Sequence, residues 1–165
     1  MSETGATIIV LGLGANLGDR LANLRGAVVA LAAVEVQIVE KSHVFETPPA
    51  GGPPQPDYYN AAVKVAAPFA LEEVLARCLA IERRFGRVRP DPVRNGPRPL
   101  DLDILWASTG RFVGGELEVP HPRLHLRPFA LAPLLEVMPH ACDPDGRPYA
   151  DLPGARAPVR RVGPL

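Results

Sequence analysis

Lysine, cysteine, net charge and long apolar runs are all scarce in this chain, and each shortage narrows what it can be. Of 18 basic residues only Lys41 and Lys64 are lysines, and 18 acidic residues balance them. With a formal net charge of zero, nothing suggests a nucleic-acid binder that relies on overall positive charge. Cys78 and Cys142, the two cysteines, lie far apart, which excludes a C-x-x-C zinc or redox motif and offers no disulfide framework. No apolar run reaches the length of a bilayer span, and the start, Met-Ser-Glu-Thr-Gly, has no basic n-region. The expectation is a cytoplasmic protein that neither enters a membrane nor is exported. At 165 residues the chain fits one domain, residues 1–165, with a core that needs no disulfide or structural metal.

Arginine is what the chain has, and it clusters. Arg83, Arg84, Arg87, Arg89, Arg94 and Arg98 fall in one short stretch that runs into Leu100-Asp101-Leu102-Asp103-Ile104-Leu105-Trp106. In a strand side chains alternate between faces, so Asp101 and Asp103 point one way while Leu100, Leu102, Ile104 and Trp106 point the other, into a core. Set roughly 6 to 7 Å apart along the strand, the two carboxylates repel unless a cation sits between them. Magnesium suits the position, because it binds through one or two carboxylates plus phosphate oxygens. A solvent-facing strand would also carry a D-x-D, but it has no need of an arginine-rich lead-in, and guanidinium groups grip phosphate bidentately.

Apolar spacing and breakers lay out the rest. Residues 7–13 read as a buried strand, Gly14 to Asp19 as a turn, and Arg20 to Ala33 as a helix with Leu21, Leu24, Val28 and Leu31 on one side. Gly12, Gly14 and Gly18 leave three residues where a dinucleotide fingerprint leaves two, so a Rossmann site is discounted. A second strand is expected over Val36 to Phe45 and a third over Tyr58 to Ala67. The stiff Gly/Pro-rich loop Thr47 to Asp57 between them suits a binding loop. Leu71 to Phe85 reads as an amphipathic helix, Leu100 to Trp106 as a strand, Phe129 to Val137 as a last helix, and about 140–165 as an irregular tail. The order β-α-β-β-α-β predicts an α+β, ferredoxin-like antiparallel sheet with helices on one face and ligands on the open one, plus the C-terminal helix and tail.

Gly12-Leu-Gly14-Ala-Asn16-Leu-Gly18, Glu46-Thr-Pro-Pro49, Pro56-Asp-Tyr58-Tyr-Asn60-Ala-Ala-Val63, Gly86-Arg87-Val-Arg89, Gly96-Pro-Arg98-Pro-Leu-Asp101-Leu-Asp103 and Val119-Pro-His121-Pro-Arg123 occur in that order. Together they resemble the 6-hydroxymethyl-7,8-dihydropterin pyrophosphokinase family of folate biosynthesis, from about residue 8 to about 137. The resemblance implies transfer of a diphosphate from ATP to a pterin alcohol. It makes Asp101 and Asp103 ligands of two Mg2+ ions, and Arg87, Arg89 and Arg98 phosphate contacts, with Arg98 on a mobile loop. It places Glu82, His121 and Arg127 with the nucleotide. Thr47, Pro48 and Ala50 would line the pterin pocket, Asn60 would hydrogen-bond the ring, and Tyr58 and Phe129 would sandwich it. Asn95, Pro90, Glu116, Glu118 and Pro122 depart from the family pattern around the loop and the nucleotide.

Physical chemistry supports those roles independently, since a flat polar heterocycle is well held by aromatic faces and by amide groups at its edge. A zinc pair at His121 and His125 is argued against by Pro122 and by the missing H-E-x-x-H glutamate. The implied reaction is in-line attack of the hydroxymethyl oxygen on the β-phosphorus of ATP, releasing AMP, by a monomer whose partners are small molecules. Two rivals remain: a non-catalytic pterin- or nucleotide-binding module, and a metal-dependent phosphohydrolase that uses water as acceptor.

Overall fold

A computed structural model describes residues 5–165, so Met1 to Thr4, which opened the polar start, lie outside the described residues. Strand β1 (Thr7–Ala15) sits inside an antiparallel sheet, hydrogen-bonded to β4 (Tyr58–Ala67) on one side and to β5 (Asp101–Ala107) on the other. Helix α1 (Arg20–Ala33) starts where the Asp19 carboxylate accepts the Ala22 N–H at 3.0 Å, and α2 (Leu71–Arg84) follows β4. The sheet order is β5-β1-β4-β3-β8, with β2 also paired to β4. This is the expected ferredoxin-like frame, extended at one edge.

Alternation along β1 divides the core. Ile9, Leu11 and Leu13 face α1 and α2, meeting Leu24, Leu31, Val74 and Ile81, whereas Val10 faces the other way with Ala62 of β4. Helix α3 (Pro128–Val137) covers part of that second face through Leu131, Leu134 and Val137. Proline at its first position costs no hydrogen bond, because that N–H would be unpaired anyway. Beyond Val10, Gly12 and Gly14 bring no side chain to that face, and both line a cavity there.

Three local expectations are corrected. The single strand expected over Val36 to Phe45 is two, β2 (Gln37–Lys41) and β3 (His43–Thr47), both lying along β4. Ser42 makes the break, its Oγ accepting the Ala62 N–H at 2.8 Å and donating to the His43 carbonyl at 2.7 Å. The phase of β5 also changes midway. Val10 pairs with Trp106 but Leu11 pairs with Ile104, so Leu105 is an extra residue, a β-bulge. Trp106 therefore packs on the α3 side rather than with Leu102 and Ile104, and its Nε1 donates to the Cys142 carbonyl at 3.0 Å.

The tail is the third correction. After a hairpin of β6 (Phe112–Gly114) and β7 (Leu117–Val119), and after α3, the chain ends in β8 (Arg160–Pro164), paired antiparallel with β3. Its sequence, Arg-Arg-Val-Gly-Pro, has no apolar alternation to betray a strand. Tertiary partners supply what pattern lacks: Arg160 pairs with Glu46 at 3.2 Å and Arg161 with Glu136 at 2.7 Å. Among the described residues no helix is long and apolar enough to cross a membrane.

Candidate active site

Two glycines make the floor of the site. A Cβ on Gly12 would lie 3.1 Å from Leu105 Cδ1, and one on Gly14 would lie 3.0 Å from Asn60 Oδ1, so any side chain there would fill the space that Leu105 and Asn60 define. Above them opens a cavity of about 380 Å³, bounded by the Gly/Pro loop after β3, the start of α3 and the acidic end of β5.

One end of the cavity is suited to a flat, polar ring. Tyr58, at the start of β4, and Phe129, in the first turn of α3, both line it, as do Thr47, Pro48 and Ala50. Asn60 follows Tyr58 on the same face of β4. Its Nδ2 donates to Thr47 Oγ1 at 2.7 Å, and both residues are buried. That bond orients the amide and leaves Asn60 Oδ1 free to accept a hydrogen bond from a ligand. Burial raises the Tyr58 phenol pKa further, offset in part by Arg98, so the ring stays neutral and hydrogen-bonding at neutral pH.

Charge fills the other end. Asp101, Asp103, Arg98 and Arg127 line the cavity. Burial, then the neighbouring Asp101, pushes the Asp103 carboxyl up to about 7, a shift that a cation bound beside it would reverse. Among the described residues no group of three or more His, Cys, Asp or Glu side chains is arranged to hold a metal. Two carboxylates opening on a cavity are nevertheless the donor set that magnesium uses when substrate oxygens and water complete its shell.

Beneath these carboxylates lies a web of guanidinium groups. Arg87, its side chain 3 % exposed, donates through Nη1 to Asp101 Oδ1 and to Glu82 Oε2, the latter at 3.2 Å. Through Nε and Nη2 it forks onto both oxygens of Asp91, each at 3.2 Å. Burial depresses the guanidinium, but Asp101, Asp91 and Glu82 outweigh it and hold Arg87 above its ordinary pKa. Arg98 reaches Asp101 Oδ2 through Nη1 at 3.2 Å, and Arg89 donates to Glu82 Oε1 at 2.8 Å.

Glu82 and His121 stand apart from the cavity. Glu82 is 1 % exposed and accepts the Leu102 N–H at 2.8 Å, so it ties α2 to β5 and seats Arg87 and Arg89. Burial raises its carboxyl pKa, against the pull of the Leu102 N–H and Arg87. His121 lines a separate hollow of about 220 Å³ with Arg111, Glu118 and His125. Burial, then Arg127 and Arg123, lowers it to about 4, and its Nδ1 lies 3.2 Å from the Arg123 N–H. A neutral imidazole accepting at Nδ1 carries its proton on Nε2, a donor rather than a base at neutral pH.

Asn16, Gln55 and Asp91 had no role in the reading of the sequence. Buried Asn16 accepts the Arg98 N–H at 2.8 Å and donates to Gln55 Oε1 at 2.8 Å, while Gln55 Nε2 donates to the Asn95 carbonyl at 2.8 Å. These bonds join the β1 turn, the Gly/Pro loop and the arginine loop. Asn16 stands in the first of the ordered motifs, with no role attached to it there. Asp91 stands in none of them.

Residues 10–139 match the family model described as 7,8-dihydro-6-hydroxymethylpterin-pyrophosphokinase. Over 135 residues the chain is 42 % identical to 2-amino-4-hydroxy-6-hydroxymethyldihydropteridine pyrophosphokinase of Synechocystis sp., covering 82 % of this chain and 68 % of that one. A relative of the same name from Bacillus subtilis is 40 % identical over 131 residues, covering 79 % and 77 %. The mitochondrial folate synthesis bifunctional protein of Pisum sativum is 38 % identical over 137 residues, which are 83 % of this chain but 26 % of that longer protein. A crystal structure of HPPK-DHPS in complex with substrates aligns at TM-score 0.68 and 12 % identity over 92 % of this chain and 43 % of that one, a likeness of fold. Since the family model spans most of the chain and relatives of comparable length share about two residues in five with it, the chain belongs to the 7,8-dihydro-6-hydroxymethylpterin-pyrophosphokinase family.

Proposed function

We propose that this chain transfers diphosphate from ATP to 6-hydroxymethyl-7,8-dihydropterin in a magnesium-dependent reaction, giving AMP and the pterin diphosphate for folate synthesis. One observation carries the reading: the aromatic and amide end of the cavity and its carboxylate and arginine end open on the same space, so a ring and a polyphosphate bound there would touch. The relatives' names, which describe a pyrophosphokinase acting on this pterin, support it.

In this mechanism Tyr58 and Phe129 stack on the pterin while Asn60 Oδ1 accepts from its edge, which fixes the direction of the hydroxymethyl group. Asp101 and Asp103 would hold two Mg2+ ions, which supply charge neutralisation across the triphosphate when bound. Arg98 and Arg127, which both line the cavity, stabilise the charge that shifts toward the departing AMP oxygen. Arg87 keeps Asp101 aimed, and Glu82 keeps Arg87 and Arg89 in place from below. His121 offers an Nε2 donor in the second hollow, into which the nucleoside would extend. No side chain is required as general base, because diphosphate transfer rests on positioning and electrostatics. Two free thiols suit the cytoplasm.

Nucleotide product analysis with ATP and Mg2+ tests the reading. AMP formed only when 6-hydroxymethyl-7,8-dihydropterin is added is the expected result. Inorganic phosphate or diphosphate released without the pterin would replace it with a hydrolase, and pterin binding without turnover would replace it with a binding module.

A further inference from the structure

Asp91 has no place in the mechanism, yet it holds the part of the site a phosphate would want. Its carboxylate takes the Nε and Nη2 edge of Arg87 in a two-pronged contact, both bonds at 3.2 Å, and Oδ2 lies 3.4 Å from Arg98 Nη2. A guanidinium offers its best bidentate grip along that edge, to carboxylate and phosphate alike. The Nη1 corner of Arg87 is already committed to Glu82 and Asp101. No second anion can fork onto Arg87 while Asp91 stays.

The surroundings show a group made to be exchanged. Asp91 is partly exposed, whereas Glu82, which shares Arg87 with it, is buried. It lies in a segment with no helix or strand, between α2 and β5. Arg98 also keeps one donor in reserve, for its Nε is buried without a hydrogen-bond partner although the residue lines the cavity. Three carboxylates, Glu82, Asp91 and Asp101, face three guanidinium groups, Arg87, Arg89 and Arg98, in this network. Withdrawing Asp91 leaves the set one positive charge in excess beside the cavity, which is the condition for receiving a polyphosphate.

We propose that Asp91 is a built-in phosphate surrogate, holding the Arg87 and Arg98 guanidinium groups and the loop around itself in place until nucleotide displaces it. The proposal rests on the diphosphate-transfer reading for the identity of the incoming ligand. Asp91 sets how tightly nucleotide binds, by competing for the same donors, and its departure releases residues 90–95 from the arginines that hold them.

Asp91→Asn and Asp91→Ala test this, using α,β-methylene-ATP with Mg2+ as the probe. The nucleotide Kd and the KM for ATP are expected to fall about two- to fivefold, the range of a partly exposed ion pair, while the KM for the pterin is unchanged. A second measurement needs no ligand. Arg89 and Arg98 precede prolines and Arg87 is buried, so trypsin can enter the loop at the exposed Arg94–Asn95 bond. Cutting there is expected to be several-fold faster in both variants than in the parent protein.

Unchanged or weaker nucleotide binding in the variants, with binding by the parent, overturns the surrogate and makes Asp91 a fixed bracket that orients the arginines for phosphate. Equal rates of cutting at Arg94 overturn its hold on the loop. A parent protein that binds pterin but no nucleotide overturns the diphosphate-transfer reading itself, an outcome distinct from either.

Discussion

Gly14→Ala is expected to separate the two ends of the cavity. The new methyl carbon would stand 3.0 Å from Asn60 Oδ1 and 3.6 Å from Tyr58 Cδ1. Contact of carbon with oxygen at that distance is too tight, and the amide cannot rotate away without losing its 2.7 Å bond to Thr47 Oγ1. Asn60 therefore shifts, and the acceptor it offers the ring edge is misplaced. Loss of one such neutral hydrogen bond is worth about 0.5–1.5 kcal/mol, so pterin Kd should rise up to about tenfold. Nucleotide Kd should not change, because Asp101 Cβ is 4.0 Å from the new methyl, an ordinary contact. Gly12→Ala is the control: its methyl meets only the apolar end of Leu105, and overpacking there costs stability, about 1–3 kcal/mol, without touching Asn60. Titration calorimetry with pterin and with a non-cleavable ATP analogue reads both variants. Unaltered pterin affinity in Gly14→Ala would refute the assignment of Asn60 and of this end of the cavity.

Three further outcomes follow from the charged end. Asp101→Ala or Asp103→Ala should lower turnover by several orders of magnitude with a native circular dichroism spectrum, and near-normal rates in both would sink the carboxylates as metal ligands. Asp103, lifted from 3.8 to about 7, binds a proton in the folded protein that it has lost in the unfolded chain over that interval, so its contribution is most favourable at acid pH and is lost as pH rises through about 7. Mg2+ must displace that proton, and thermal melts should show a larger Mg2+-induced rise in Tm at pH 8 than at pH 6, a difference that Asp103→Asn abolishes. Glu82→Ala strands the Leu102 N–H and removes a buried partner of Arg87, at a cost of roughly 3–5 kcal/mol in urea unfolding. A cost below about 1 kcal/mol would show that water replaces the carboxylate.

Sequence periodicity was informative wherever one residue answered to one layer. Leu24 and Leu31 of α1 are buried where their spacing put them, and the amphipathic α2 buries Val74 and Ile81, because a 3.6-residue period needs only an apolar side to face. Tyr58, Asn60, Thr47 and Phe129 meet in one cavity although far apart in the chain, and the ordered motifs, not their local pattern, linked them. Trp106 was misplaced because a bulge has no compositional mark, and β8 was missed because an arginine-rich edge strand is specified by its partners Glu46 and Glu136. Glu82 and Arg87 show the same limit. Nothing in Ile81-Glu82-Arg83 distinguishes a buried acid from the exposed charges beside it, since only the fold brings the Leu102 N–H and Arg87 to meet it.

The extra residue at Leu105 gives β5 two independent halves. Before it, the pleat of Asp101 to Ile104 is tied to α1 and α2, so the carboxylates keep their aim as long as that layer is intact. After it, Leu105 and Trp106 belong to α3, whose first turn carries Phe129. Changes in α3 can reshape the aromatic wall without turning the aspartates, and changes in α2 can retune the aspartates without moving the wall. A family built on this strand can vary how it grips a ring and how it handles a polyphosphate as separate traits, joined only at the glycine floor.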